Sequence, residues 1–135
     1  MKNGTVSLDD IKYVPEEIYQ QISRYTISVN DVYITVAGTI GSVGTIPNEL
    51  NNANLTENAD KLIIYDLNQK YVVHCLASPL IQHQIHEAVT KVGQPKLAIM
   101  RIESLLFPLP PLAEQKRIVA KIEELLACCG ALEKA

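Results

Sequence analysis

Two histidines lie close enough in the sequence to share a metal ion. His83 and His86 are three residues apart, and residues at this spacing lie on one face of a helix, so both imidazoles could reach one ion. Glutamines and a glutamate surround them, His74 belongs to another segment, and no cysteine or aspartate completes a ligand set. The pattern favours a polar helix surface, and we expect no bound metal.

The glycine-rich run 38–44 and the nucleophilic side chains match no known catalytic pattern. The glycine spacing fits neither the dinucleotide fingerprint nor the P-loop, and extended residues follow the run. Ser42 belongs to no nucleophile-elbow sequence, and Cys75 lies in an apolar stretch that is typical of a packed thiol. The acidic pairs 9–10 and 16–17 are adjacent, so their carboxylates point in different directions. We predict no catalytic residues and a protein that is not an enzyme.

Length and composition predict a globular domain. The chain has 135 residues, of which 47% are hydrophobic and 20% charged, and this is enough for one core. No apolar run approaches the ~20 residues that cross a bilayer, and the polar opening resembles no secretory signal. Three cysteines without paired spacing indicate reduced thiols, so we expect a cytoplasmic location. The net charge of −3 means that any binding to nucleic acid must come from a local patch or a partner.

The first half of the chain predicts a short helix and several strands. Pro15, followed by two acids, favours a helix. Residues 32–37 are β-branched and aromatic, and after the glycines at 38–41 extended character resumes over 43–46, so we predict a hairpin. The asparagine-rich segment 48–58 is predicted as a polar loop, and residues 61–66 as a second strand.

The second half predicts mainly helices. Residues 71–77 form one, and Ser78 as N-cap with Pro79 at the first position begins another that extends through Thr90. A short helix over 98–105 leads into an extended, proline-rich connector at 107–111. We therefore expect an α+β fold: a small mixed or antiparallel sheet with covering helices and a projecting, coiled-coil-type C-terminal helix.

The C-terminal helix is predicted over residues 112–133, where strong helix formers follow a proline. Apolar residues recur at alternating steps of four and three, which is a heptad seam only about two heptads long. Two interpretations stay open, because such a stripe can pack on its own domain or pair with a second helix. The seam consists of Ile118, Ile122, Leu125, Cys129 and Leu132.

The order of these segments resembles a known family. Residues 30–41 read Asn-Asp-Val-Tyr-Ile-Thr-Val-Ala-Gly-Thr-Ile-Gly, which is similar to a pattern in target recognition domains of the specificity (S) subunit of type I restriction-modification enzymes. The polar segment 54–58, the Leu-Ala-Ser-Pro sequence at 76–79 and the loop 93–97 resemble later parts of the same domains. Residues 107–119, Phe-Pro-Leu-Pro-Pro-Leu-Ala-Glu-Gln-Lys-Arg-Ile-Val, resemble the motif that ends a recognition domain and begins its spacer helix.

This resemblance implies a non-catalytic DNA-reading protein. In the family, two recognition domains each read half of a bipartite target, and two antiparallel helices fix the distance between the halves and dock the methyltransferase (M) subunits. Residues 1–110 would then be a partial recognition domain and 111–135 a spacer or dimerisation helix. The implied partners are double-stranded DNA, M subunits and, through them, the restriction (R) subunit. S-adenosylmethionine, Mg and ATP would be bound by those partners, so we expect no cofactor on this chain.

Side-chain chemistry suggests which residues would contact DNA. Asparagine can read adenine, lysine can hold phosphates, and backbone amides at glycine turns can bind phosphate. An alternative for the asparagines is simple turn formation, and for the lysine a solvated surface. The candidates are Thr39, Gly41, Asn51, Asn54, Asn58 and Lys96.

A second hypothesis concerns proteins as partners. The opening of the chain resembles the middle of a recognition domain, which suggests a truncated copy. Relatives often carry a basic residue at the position of Ala37, glycine at that of Asn30 and glutamine at that of Glu57, so positive charge or donors are reduced here. The chain would then be a remnant that binds little DNA and acts through its C-terminal helix, pairing with another copy or with a partner subunit.

Overall fold

The computed structural model describes residues 4–9, 11–89 and 95–132, except for the side chains of residues 131 and 132. A fully buried strand lies at the centre of the fold. This strand, β2, has no exposed residue, and it pairs antiparallel with β3 on one side and β5 on the other. The strands are β1 (Thr26–Ile27), β2 (Val32–Thr35), β3 (Val43–Gly44), β4 (Ala53–Asn54) and β5 (Ala59–Leu62). The helices are α1 (Glu16–Ile22), α2 (Gln69–Ala77), α3 (Pro79–Ala88), α4 (Ile99–Glu103) and α5 (Leu112–Leu132).

The main core lies between one face of the sheet and the helices. Val32 and Ile34 point to this face because side chains alternate along a strand, and they pack against apolar residues of α2, α3 and α4. Each of these helices is amphipathic, so burial of one face stabilises both the helix and the sheet. The helical core residues are Val72, Leu76, Ile81, Ile85 and Ile102.

A smaller core lies on the other face of β2. Tyr33 packs there with Ile27 and Ile46, and its hydroxyl donates to the carbonyl of Thr5 at 3.2 Å. Ile27 belongs to β1, which pairs antiparallel with β4. The asparagine-rich segment, predicted as a loop, therefore contains a short strand. The sequence did not predict this strand, because two paired residues are too few to leave an alternating pattern.

The predicted architecture is confirmed. The fold is α+β with antiparallel sheets, and the hairpin, the pair α2 and α3, the short helix α4 and the long helix α5 lie where the sequence placed them. The first predicted helix is α1, and it has no buried residue. The helix α3, predicted to extend through Thr90, ends at Ala88, because Val89 has an extended backbone. The start of the 93–97 loop and the last residue of the predicted C-terminal helix lie outside the described residues.

Two further local predictions differ from the structure. The strand predicted over 61–66 begins at Ala59 and ends at Leu62, because the register with β2 pairs Thr35 with Ala59 and Val32 with Leu62. The apolar residues beyond Leu62 include Tyr65, which is exposed. Ser78 precedes α3, but its hydroxyl donates to the carbonyl of Cys75 at 2.6 Å instead of accepting from an amide of α3. Pro79 still begins the helix, since proline fixes φ and needs no hydrogen-bond acceptor.

The first half of α5 packs on α2. Val119 is buried, and Gln115, also buried, accepts from the amide of Asn68 and donates to the carbonyl of Pro110, both at 2.9 Å. Glu123 forms an ion pair with Lys70 of α2. The connector before α5 is attached by Tyr71, whose hydroxyl donates to the carbonyl of Pro108. Within the described residues, no helix is long and apolar enough to span a membrane.

Adjacent residues on α3 test the main core. Ile81 is fully buried, whereas Leu80 is 60% exposed. We expect Ile81→Ala to lower the free energy of unfolding by about 2–5 kcal/mol, because it leaves a cavity in a packed core. Leu80→Ala, the matched control, should change it by less than about 1 kcal/mol. Urea unfolding followed by circular dichroism measures both, and equal effects would contradict the observed orientation of α3.

Candidate nucleic-acid interface

Three loops meet at the carboxyl end of β2. The amides of Val36 and Ala37 both donate to the carbonyl of Asn58, at 2.8 and 3.4 Å, and the amide of Leu97 donates to the carbonyl of Val36 at 3.0 Å. These bonds join the segments 37–39, 56–58 and 95–97, which we call the three-loop surface. Backbone bonds to a buried strand hold the loops in place, so side chains on them have a defined setting.

This surface brings together three of the predicted DNA-contact residues. Thr39, Asn58 and Lys96 are all exposed, and they offer a hydroxyl, an amide and an ammonium group. A hydroxyl or amide can bond to base edges, and lysine can neutralise phosphate. Beside Thr39, Gly38 has a φ of +71° and open space at the position of a Cβ, so a backbone or ligand can approach closely.

The loop that carries Thr39 is built around Thr35. The side-chain hydroxyl of Thr35 donates to the carbonyl of Thr39, and its oxygen accepts from the amide of Ser42 at 2.9 Å. The carbonyl of Thr35 accepts from the amide of Gly41, also at 2.9 Å. Thr35 therefore fixes the shape of the turn from inside the strand.

Gly41 has a structural task in this turn. It is buried, with a φ of +86°, and an added Cβ would lie 2.9 Å from Oε1 of Gln82. Its carbonyl accepts from Nε2 of Gln82 at 2.9 Å, and its amide is already bonded to Thr35. The predicted phosphate contact through this amide would thus need a different loop conformation.

The other two asparagines lie away from the three-loop surface. Oδ1 of Asn51 accepts from the amide of Val29 at 3.1 Å, and Nδ2 of Asn54 donates to the carbonyl of Ile22 at 2.8 Å. Both bonds attach the asparagine-rich segment to the chain before β2. These bonds connect segments far apart in the chain, so the two side chains have a structural role that differs from the simple turn formation given as the alternative to DNA contact.

Several positioning residues escaped sequence reasoning. Gln69 donates to the carbonyls of Val29 and Asp31, and the carboxylate of Asp31 accepts from the amide of Ser28. Gln82 and Gln115 likewise bond to backbone of other segments. Nothing in a single sequence distinguishes a glutamine that binds a distant backbone group from one that is solvated. Only Asp31 and Gln115 could have been singled out, because they lie within the family-like motifs 30–41 and 107–119.

The seam of α5 divides into two parts. Ile118 and Ile122 are half-buried near α2, whereas Leu125 is 53% exposed and Cys129 is exposed. Leu126, beside the seam, is also exposed. The side chain of Leu132 lies outside the described part. The first half of the helix therefore packs on its own domain, and the second half presents apolar side chains to solvent.

A groove runs along β5 and begins beside the three-loop surface. It has a volume of about 640 Å³. All four residues of β5 line it, with α4 forming one wall and Tyr25 with Leu55 the other. Its acidic side chains are Glu57, Asp60 and Glu103, and burial raises the pKa of the Asp60 carboxyl above its usual range. We call this feature the β5 groove.

The histidines and cysteines form no assembled site. His83 lies 3.4 Å from the carboxylate of Glu87 on the surface of α3, and the described residues contain no group of three His, Cys, Asp or Glu side chains that could hold a metal. Cys75, Cys128 and Cys129 are free thiols, and burial raises the pKa of the Cys75 thiol. A raised pKa reduces the thiolate fraction, which makes Cys75 less reactive.

Comparison with known proteins gives consistent matches. The family model described as "Type I restriction modification DNA specificity domain" matches residues 2–135. The type I restriction enzyme EcoBI specificity subunit of Escherichia coli is 26% identical over 99% of this chain, which spans 28% of that protein. The EcoAI specificity subunit of the same species is 24% identical over 97% of the chain, which spans 23% of it. The chain thus corresponds to about a quarter of these relatives.

A solved structure shares the fold. The HsdS subunit from Thermoanaerobacter tengcongensis superposes with a TM-score of 0.69 and 22% sequence identity. The match covers 81% of this chain and 29% of that one. The arrangement of sheet and helices described above is therefore one that a solved protein adopts.

The raised pKa of Asp60 predicts that this carboxyl lowers the free energy of unfolding in a pH-dependent way. Burial disfavours the charged carboxylate in the folded state, so this group destabilises the fold once pH rises above its unfolded pKa of about 3.9. Asp60→Asn should raise the urea midpoint near pH 7 and change it little at about pH 3, where the carboxyl is protonated in both states. Glu57→Gln removes one charge from an exposed position as a control for net charge. A lower midpoint for Asp60→Asn near neutral pH would contradict the prediction.

Proposed function

Because the chain belongs to the family of type I restriction-modification DNA specificity domains, we propose that it reads one half of a bipartite DNA target and positions methyltransferase and restriction subunits on it. The observation that carries this proposal is the three-loop surface, where Thr39, Asn58 and Lys96 are exposed together on loops fixed to β2. A rigidly held set of donors and a cation suits the reading of a duplex. Residues 1–110 form the recognition part in this proposal.

The charge of the chain agrees with binding through a small patch. The net charge of −3 gives no general attraction to DNA, and the β5 groove with its three acidic side chains repels phosphate. Lys96 takes part in none of the ion pairs of the described residues. Sequence reading would depend on this patch and on further contacts supplied by the assembled complex.

We further propose that the chain itself performs no chemistry. Its described side chains include no assembled metal cluster, and the sequence carries no nucleophile or cofactor motif. Methyl transfer and DNA cleavage would occur on partner subunits, which would bind S-adenosylmethionine, Mg and ATP. The chain would then act by placing those subunits at a chosen sequence.

The exposed half of α5 supports helix pairing within such a complex. Leu125, Leu126 and Cys129 form an apolar stripe that no described element covers, and a stripe of this kind is stabilised when another helix buries it. Residues 111–135 would thus be the spacer or dimerisation helix, paired with a second copy or with a methyltransferase subunit. The same observation supports the alternative of an interaction module with little DNA binding of its own.

Binding to a random pool of short duplexes at two salt concentrations tests DNA reading. We expect enrichment of a sequence motif and a fall in affinity as salt rises, because phosphate contacts release counterions. On the enriched duplex, Lys96→Ala should weaken binding and reduce the slope of log affinity against log salt by about 1. Fluorescence anisotropy measures both quantities.

Lys116→Ala is the matched control for this experiment. Lys116 is exposed on α5, next to Gln115, which bonds near the amino end of α2 and away from the three-loop surface. Its removal should leave affinity and salt slope unchanged. No retained duplex at low salt, or an unchanged slope in Lys96→Ala, would contradict DNA reading by this surface and favour the interaction module.

Self-association tests the pairing of α5. We expect the chain to form dimers as its concentration rises, and Leu125→Glu to weaken dimerisation by at least about tenfold because it places a charge in an apolar seam. Ala127→Glu adds the same charge at an exposed position on the opposite face of the helix. Sedimentation velocity distinguishes the variants. A wild-type chain that remains monomeric throughout would exclude pairing between copies.

A further inference from the structure

The β5 strand has an open edge. In the sheet order β3-β2-β5, β2 pairs with one edge of β5, and no described strand pairs with the other. The amide of Ala59 at this edge donates to the carbonyl of Thr56 at 3.2 Å, and the edge groups beyond it are ones onto which another extended segment can add. The four residues of β5 span about 13 Å, which is the length of a short added strand.

The β5 groove lies along this edge. All four residues of β5 line the groove, and no residue of β2 does. Since side chains alternate between the two faces of a strand, a cavity that touches four consecutive residues and skips the neighbouring strand must run along the edge. A segment lying in the groove would therefore be placed for backbone pairing with β5.

The walls of the groove offer apolar contacts for alternate side chains. Ile99 and Ile102 of α4 form one wall, and Tyr25 with Leu55 form the other. Ile99 is 59% exposed and Tyr25 49% exposed, so both have apolar area that an occupant could bury. An added strand would direct successive side chains toward opposite walls.

The charges in the groove favour a basic occupant. Glu57, Asp60 and Glu103 form no ion pair with any described residue. The two cations of the lining are already engaged, since Lys61 donates to the carbonyl of Thr26 at 2.6 Å and the Arg24 guanidinium lies 4.7 Å from the centre of the Tyr25 ring. Three carboxylates against these two cations give the lining a formal charge of −1.

We propose that the β5 groove binds an extended segment of a partner protein that bears lysine or arginine among apolar residues, adding as a strand to the open edge of β5. A second copy of this chain is disfavoured because its net charge of −3 repels an acidic groove. DNA is disfavoured because the carboxylates repel phosphate. The inference does not depend on DNA reading, and the two can fail separately.

The test uses the full chain and a labelled octapeptide of alternating valine and lysine with blocked ends. We expect saturable binding by fluorescence anisotropy. The same peptide with N-methyl groups on all of its backbone amides, which blocks both of its edges, should bind at least about tenfold more weakly if its backbone pairs with β5. A peptide with glutamate in place of lysine should also bind at least about tenfold more weakly, because it meets like charges.

Two protein variants locate the binding. Glu103→Lys reverses a charge at an exposed position on the α4 wall and should weaken binding of the lysine peptide by about tenfold or more. Glu87→Lys makes the same change on the exposed surface of α3, outside the groove, and should leave affinity within about twofold. Lys96→Ala should not affect the peptide, which separates this site from DNA reading.

Four results would overturn the proposal. Equal affinity for the N-methylated peptide would show that no strand is added, and equal effects of Glu103→Lys and Glu87→Lys would show that the charge in the groove does not matter. Competition by a short DNA duplex that persists in Lys96→Ala would identify the groove as a nucleic-acid site. Self-association that Glu103→Lys changes and the peptide blocks would identify a second copy as the occupant.

Discussion

The burial of β2 on both faces is the constraint on which the structure depends. Residues 32–36 are all buried, so the strand must be covered on each side, by α2, α3 and α4 on one face and by the β1–β4 pair on the other. Its backbone groups must also be bonded, because an unpaired buried amide or carbonyl is costly. Just after the strand, the amides of Val36 and Ala37 donate to the carbonyl of Asn58, and the carbonyl of Val36 accepts from the amide of Leu97. These bonds bring the three loops together.

Glutamine side chains that bond to the backbone hold the irregular segments in place. Gln69 holds the turn before β2, Gln82 holds the turn after it, and Gln115 joins the start of α5 to the start of α2. Gln84 forms a two-way bond with the backbone of Leu106. Gln84 and Gln115 each donate and accept, whereas Gln69 and Gln82 each donate to two carbonyls. Loops between short elements therefore acquire fixed positions without being buried.

The sequence predicted the elements, but it could not show which of the candidate site residues lie together. Periodicity and turn residues located β2, the hairpin and the helices, because apolar spacing and proline act locally. The start of β5 was missed because Asp60, a polar residue on a strand, is tolerated there through pairing with β2. Asn51, Asn54 and Asn58 have the same chemistry in the sequence, and only the fold shows that the side chains of the first two bond to distant backbone groups. Such distinctions depend on contacts between residues far apart in the chain.

The distribution of charge explains how an acidic chain can belong to a DNA specificity family. Acidic groups concentrate in the β5 groove and on α5, where Glu114 and Glu124 are paired with basic neighbours along the helix. The three-loop surface carries Lys96 on one loop and Glu57 on another. Because screening limits exposed charges to about 8–10 Å, local arrangement matters more to a duplex than the total. A surface with one lysine and one glutamate would leave specificity to directed hydrogen bonds and affinity to the assembly, and this division suits a chain that spans about a quarter of its longer relatives.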